Sequence, residues 1–265
     1  MSRSAMAEIA RLYYVRDLTQ QEIAERLGVS RFKVLRLLEQ ARAEGVVRFE
    51  IDETVPVHDD LSHRLEERYG ITALVVEREV ARAAAGLLPR LLRRDDVLGV
   101  AWGQTLASIE RALPQVEAPV PVVQICGAID GLVPGSGPTE LAARFAAKTG
   151  GRFHPLEAPA VADENALRRS VRPTTAVFDD VSVALLGVGA HPHAAGHLLV
   201  HVFDDDGHIV SAERAIALSV AQLRRARVVA AAGGRRKQRA VAGALRTGLV
   251  DVLVTDAVCA RHALK

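Results

Sequence analysis

Aromatic side chains are scarce in this chain: six Phe, three Tyr and one Trp amount to 4% of 265 residues. Cysteine is scarcer still, with Cys126 and Cys259 the two present. They form no metal-binding spacing and no disulfide framework, and each follows or interrupts an apolar run, so buried reduced thiols are expected. No uninterrupted apolar run reaches bilayer length, and the N-terminus carries no signal-peptide pattern. A soluble cytoplasmic protein with no membrane partner is therefore expected. Net charge is small as well, +2 from 34 basic and 32 acidic residues. That balance says little about partners, because a locally basic DNA-binding module fits inside a nearly neutral chain.

What the chain does have is Ala, Val and Leu, which dominate an apolar fraction of 49%. Its length allows one large core plus a small satellite domain, and its composition argues for a packed α/β protein and against disorder.

The most organised stretch is TQQEIAERLGVSRFKVLRLL, residues 19–38. Thr19 caps a short helix and Glu22 completes a capping box, with Ile23, Ala24 and Leu27 on the buried side. Gly28 breaks that helix. Val29 plugs the turn, and Ser30 caps a second helix whose buried positions are expected at Val34, Leu35 and Leu38. This is a helix-turn-helix, and the first exposed turns of its second helix carry Arg31, Phe32, Lys33 and Arg36, the part that enters a major groove in this architecture. Residues 4–15 read as a supporting helix with Met6, Ile9, Ala10 and Tyr13 on one face. Residues 46–52 read as a wing strand or hairpin bearing Arg48. The candidate DNA-binding set is Thr19, Gln20, Ser30, Arg31, Phe32, Lys33, Arg36 and Arg48. The bland alternative is a helical hairpin that never touches DNA, since any such hairpin needs caps, a glycine and an apolar stripe.

Pro56 and flanking charges place a boundary near residue 53. The organisation expected is a DNA-binding domain over 1–53, a linker helix over 54–70 with Leu61 and Leu65 on one side, able to align two protomers, and a larger domain over 71–265. Within the last, apolar strand-like runs alternate with helical ones. Strands are expected in 70–77, 96–101, 120–126, 153–156, 181–188, 198–203, 228–232 and 250–255. Helices are expected in 80–92, 106–113, 139–149, 164–171, 237–246 and 257–264. The pattern implies an α/β fold with a mainly parallel, layered sheet, whose ligands sit beyond the carboxyl ends of strands.

Taken together, LTQQEIAERLGVSRFKVLRLLEQARAEGVV (18–47), VLGVAWGQTL (97–106), LLGVGA (185–190), VVAAAGG followed by Lys237, and LVDVLVTD (249–256) resemble the SorC-type sugar-binding bacterial transcription regulators, including the deoxyribonucleoside-regulator branch. The resemblance covers nearly the whole chain. It implies a winged helix-turn-helix joined to a Rossmann-like domain similar to sugar-phosphate isomerases and deaminases, which binds a phosphorylated sugar. It also implies a homodimer or homotetramer on double-stranded operator DNA, and so assigns effector binding and oligomerisation to the domain over 71–265. The chain departs from the family pattern in three places. Ala101 stands where a Ser precedes Trp-Gly, Thr139 and Glu140 stand where Asn-Glu is common, and only AHPHAAGH separates Gly189 from the next strand.

A sugar phosphate needs backbone N–H donors, a helix N-terminus or a held cation. Gly103, Gln104 and Thr105 offer the first two; the alternative is a plain strand-to-helix turn. Gly135, Thr139 and Glu140 open another helix, where Glu140 can accept from a sugar hydroxyl, or the segment merely starts that helix. Gly187 and Gly189 permit close backbone approach, or are the paired glycines of an ordinary turn. Gly233, Gly234 and Lys237 form a second anion site, or a solvated basic face with Arg235, Arg236 and Arg239. Asp256 can bind sugar hydroxyls or cap the last helix, and the two roles can coexist. His191, His193, His197 and His201 lack a metal motif, so no metal and no cofactor beyond the effector is expected.

No acid/base constellation is defined, so the chain reads as a non-enzyme regulator controlled by a phosphorylated sugar. Two alternatives stay open: an isomerase- or deaminase-like enzyme fused to a DNA-binding module, and an effector-independent DNA-binding oligomer with a degenerate pocket.

Overall fold

The computed structural model describes residues 3–14, 16, 18–47, 55–116, 119–129, 132–160, 175–211 and 216–265. The chain divides into two compact units, Met1–Thr54 and Val55–Lys265.

The smaller unit holds α1 (Arg3–Tyr14), α2 (Gln20–Leu27) and α3 (Arg31–Ala43). Local chemistry sets its helix ends. The Thr19 hydroxyl accepts the Glu22 amide at 3.3 Å, while the Glu22 carboxylate accepts the Thr19 amide at 2.7 Å, a complete capping box. Gly28 ends α2 at φ 62°, a left-handed conformation only glycine adopts without strain, and its amide reaches the carbonyls of Ala24 and Glu25. Met6, Ile9, Ala10, Ile23, Ala24, Val34, Leu37, Leu38 and Ala41 make the core. Leu27 and Leu35, expected inside, are each 37% exposed. At 100° per residue Leu35 stands a quarter-turn off Val34, and Leu37 takes the inward place. The amides of Val46 and Val47 fold back onto the Ala41 carbonyl at 2.8 and 3.0 Å. The rest of the expected wing, with Arg48, lies outside the described residues.

Among the described residues of the larger unit, seven strands form one parallel sheet in the order β1-β10-β9-β5-β2-β3-β4. These are β1 (Thr72–Val76), β2 (Leu98–Val100), β3 (Val120–Gln124), β4 (Gly150–His154), β5 (Val183–Ala190), β9 (Arg227–Ala232) and β10 (Val252–Asp256). Beyond its sheet partners β5 continues into an antiparallel flap with β6 (Gly196–Leu198), β7 (His201–Phe203) and β8 (Ile209–Ser211). The expected single strand over 198–203 is thus two strands, because Leu199 takes φ 55° and turns the chain back. The helix expected over 164–171 lies outside the described residues.

The helices are α4 (Asp59–Tyr69), α5 (Val80–Leu91), α6 (Gln104–Ala112), α7 (Pro138–Thr149), α8 (Val220–Leu223), α9 (Gln238–Arg246) and α10 (Ala257–Ala263). α5 packs on α6 and α6 on α7, while α4 packs on α10 and α10 on α9. The two groups share strand partners, and among the described residues they make at most minor contact with one another, as helices on opposite faces of one sheet do. The sheet interior is accordingly mostly apolar, with β2 buried along its length and all but the first residue of β9 buried, while the buried polar side chains of Gln124 and Thr255 are hydrogen-bonded to backbone groups. Leu61 and Leu65, the side of α4 expected to serve a linker, are buried in this unit's core. Cys126 and Cys259 are buried free thiols, each pushed up to about 12 by burial. Among the described residues no helix is long and apolar enough to cross a membrane.

Candidate functional site

Two surfaces follow from this architecture, one on each unit. On the smaller unit, α3 presents Arg31, Phe32, Lys33 and Arg36 outward, all exposed, and none of the three cations has an ion pair among the described residues. The Ser30 hydroxyl accepts the Lys33 amide at 3.3 Å, so its role in this geometry is to start the helix. Thr19, Gln20 and Arg31 come together with Tyr13, Tyr14 and Leu18 along an open groove of about 730 Å³. The two tyrosines, packed edge to face at 4.9 Å, escaped sequence reasoning because an aromatic pair at the end of a helix reads as core.

On the larger unit the sheet order reverses between β2 and β5. From β2 the chain proceeds to β3 and β4 on one side, and from β5 it proceeds to β9 and β10 on the other. A crevice opens at the carboxyl ends of such a pair, since the two connections leave in opposite directions. Here it is a cavity of about 310 Å³. Gly103, Gln104 and Thr105 bring the N-terminus of α6 to it, Gly187 and Gly189 come from β5, and Lys237 comes from the 3₁₀ turn before α9. The structure thus gathers six of the expected effector residues. Gly103 N-caps α6 without a side-chain cap, and its own amide donates to the Ser136 carbonyl at 2.9 Å. The first-turn amides after it are the donors α6 has to offer a ligand.

Six further lining residues fall outside the expected set, Ala101, Trp102, Val188, Ala190, His197 and Leu199, and two of them are rings with polar groups. Trp102 and His197 lie 95 positions apart, so no local pattern unites them, yet their rings stack at 5.6 Å and 17°. The Trp102 indole N–H is buried and has no hydrogen-bond partner among the described residues. The His197 Nδ1–H donates to the Leu199 carbonyl at 3.0 Å, which leaves Nε2 as the acceptor. Burial lowers the His197 pKa; the Leu199 carbonyl opposes that, and the charges of Lys237 and His191 lower it further, so the ring is neutral near pH 7. Gly189 is required beneath it, because a Cβ there would stand 1.7 Å from His197 Nε2. Lys237 is half-buried, its pKa lowered by that burial, and no anion pairs with it among the described residues.

The remaining expected residues lie elsewhere. Gly233 and Asp256 line an adjoining groove of about 480 Å³ that shares Gln104 and Thr105 with the cavity. Asp256 caps α10: one carboxylate oxygen accepts the Cys259 amide at 2.8 Å and the other accepts the Gly234 amide. Gly135, Thr139 and Glu140 line neither space among the described residues. Arg144, one helical turn beyond Glu140, pairs with it at 3.0 Å, pairs with the nearly buried Glu110 at 3.0 Å, and donates to the Gly135 carbonyl. That cluster fastens the loop whose Ser136 carbonyl holds Gly103. One group of metal-ligating atoms lies close together among the described residues, Asp204, Asp206 and His208, and there the Asp204 carboxylate already closes the turn by accepting the Asp206 and His208 amides.

Comparison with known proteins bears on both surfaces. A family described as "Putative sugar-binding domain" matches residues 57–195 and 190–265, and one described as "Sigma-70, region 4" matches residues 5–44. The sorbitol operon regulator of Klebsiella pneumoniae is 28% identical, covering 98% of this chain and 97% of its own length. The crystal structure of that full-length regulator, SorC, superposes with a TM-score of 0.84 at 26% identity, over 99% of this chain and 98% of the other. The chain belongs to the SorC-type family of sugar-binding transcription regulators. The deoxyribonucleoside regulator of Bacillus subtilis (strain 168) is 29% identical over 96% of this chain and 95% of its own length. In this SorC-type regulator the helix-turn-helix match falls on α1 to α3, and the crevice between β2 and β5 lies inside the sugar-binding match.

Proposed function

We propose that this chain binds double-stranded operator DNA through α3 and that a phosphorylated sugar held in the β2–β5 crevice sets its operator affinity. The observation that carries the effector reading is Lys237: a half-buried cation with no counterion among the described residues, on the cavity that the N-terminus of α6 also lines. A desolvated cation and a set of unbonded first-turn amides each favour an anion, and together they favour a doubly charged one. The remaining wall is apolar or aromatic, and His197 Nε2 can accept from a sugar hydroxyl. The cavity falls in the range of small-molecule sites, roughly 300–1,000 Å³.

The reversal of strand order at β2 and β5 supports the likeness of the larger unit to Rossmann-type sugar-phosphate isomerases and deaminases. Turnover is not part of this reading. No carboxylate is among the described residues that line the cavity. The chain acts in the cytoplasm as a homo-oligomer, whose paired α3 helices would meet half-sites about one helical turn apart, roughly 34 Å, or a multiple of it.

The test is operator binding by the full-length protein with and without a panel of sugar phosphates and their unphosphorylated counterparts. A phosphorylated sugar should change operator affinity at least tenfold where its counterpart does not. Unchanged operator affinity with a sugar phosphate shown by calorimetry to bind would refute the coupling.

A further inference from the structure

Phe32 is 83% exposed, more than any other large hydrophobic described. Packing within its unit does not explain it. The inward face of α3 is Val34, Leu37, Leu38 and Ala41, and at 100° per residue Phe32 stands about 160° from Val34, on the far side of the helix. Arg36, four residues on, shares that outermost stripe, with Arg31 and Lys33 to either side, all exposed. The second position of the helix is thus a bare phenyl ring set among three cations that have no ion pair among the described residues. Three cations around a hydrophobe repel a protein or lipid partner that is apolar alone and favour a polyanion that offers one apolar group.

A duplex offers such a group. Along the major groove every base edge presents hydrogen-bond donors and acceptors, and the C5-methyl of thymine is the apolar exception. A phenyl ring has neither donor nor acceptor. Residues in the first turn of a recognition helix are those that reach base edges. We propose that Phe32 packs on a thymine methyl and reads one T·A pair in each half-site. This rests on the operator-binding reading above. It assigns the specificity at that base pair to Phe32, while the cations beside it hold phosphates or guanine edges.

The test uses full-length protein and a duplex selected by it from a random pool. Each thymine in the selected site is replaced in turn by deoxyuridine, which removes the methyl and leaves every hydrogen-bonding group in place. At one thymine per half-site the wild-type protein should lose about fourfold in affinity, the equivalent of one buried methylene. The Phe32→Ala variant should bind the parent site more weakly and show no loss at that position. Replacing the same T·A pair by 5-methylcytosine·G should retain more wild-type binding than cytosine·G does. Thermal unfolding of Phe32→Ala should match wild type, because the ring is in solvent. The proposal is overturned if every deoxyuridine site binds wild type as the parent does, if Phe32→Ala loses as much as wild type at the sensitive thymine, or if the selected site has no thymine. Failure of the DNA-binding reading looks different: no sequence is enriched and no duplex is bound at low salt.

Discussion

Lys237 concentrates the effector claim in one side chain. Replacing it with Met keeps most of the stem and removes the charge, so affinity for a sugar phosphate should fall about 10- to 100-fold, the worth of a hydrogen bond to a charged group. Affinity for the unphosphorylated sugar should stay within about twofold, since no other contact changes. Calorimetry on both ligands checks this, and equal losses for both would place the phosphate elsewhere. The buried histidines make a second prediction at this scale. Burial lowers the pKa of His197 and of His201 from the ordinary 6.5, and the carbonyls of Leu199 and Leu218 oppose without reversing it. With folded-state values below unfolded ones, the unfolded chain binds more protons in the window between them. Stability of the larger unit is therefore full above about pH 6.5 and declines as pH falls through that value toward the folded-state pKa values. Denaturation midpoints measured from pH 7.5 to 5.5 should fall, and a His201→Gln variant should show a shallower fall.

Among elements, the helix ends and the α6–α7 contact carry most of the local instruction. Thr19→Ala removes the hydroxyl half of the α2 capping box and should cost the smaller unit about 1 kcal/mol, read by chemical denaturation. Glu110 on α6 is 6% exposed and pairs with Arg144 on α7 at 3.0 Å. Arg144→Met leaves that carboxylate buried alone and should cost about 3 kcal/mol, whereas Glu110→Met combined with Arg144→Met should recover most of the loss. Recovery identifies the stranded charge as the cause; no recovery would mean that the Arg144 bond to the Gly135 carbonyl matters more.

Legibility in the sequence also varied by element. Strands β1, β5, β9 and β10 were readable because buried parallel strands are unbroken apolar runs. The flap was not, since the turn at Leu199 needs a left-handed residue that no glycine announces. Glu140 stood open between a ligand group and a helix start, and its i,i+4 spacing to Arg144 fits the ion pair it makes. Asp256 lay between two readings, and its geometry is that of the cap. The Trp102–His197 wall was invisible, because stacking across 95 positions exists only once the β2–α6 connection and the flap of β5 and β6 have come together.

At the scale of the whole molecule, the cavity is a product of strand order. Gly103, Thr105, Gly189 and Lys237 come from three separate βα or flap connections, and they meet because the chain reverses its lateral direction between β2 and β5. A regulator needs its ligand to distinguish two conformations, and a site assembled from several connections is one whose occupancy can bias their arrangement. The measurement that tests this most directly is a crystal structure of the protein with a sugar phosphate that alters operator binding. The phosphate should lie within hydrogen-bond reach of the first-turn amides of α6 and of Lys237 Nζ, with the sugar against Trp102 and His197. A phosphate found only in the groove beside Gly233 and Asp256, with the β2–β5 crevice closed, would contradict the account.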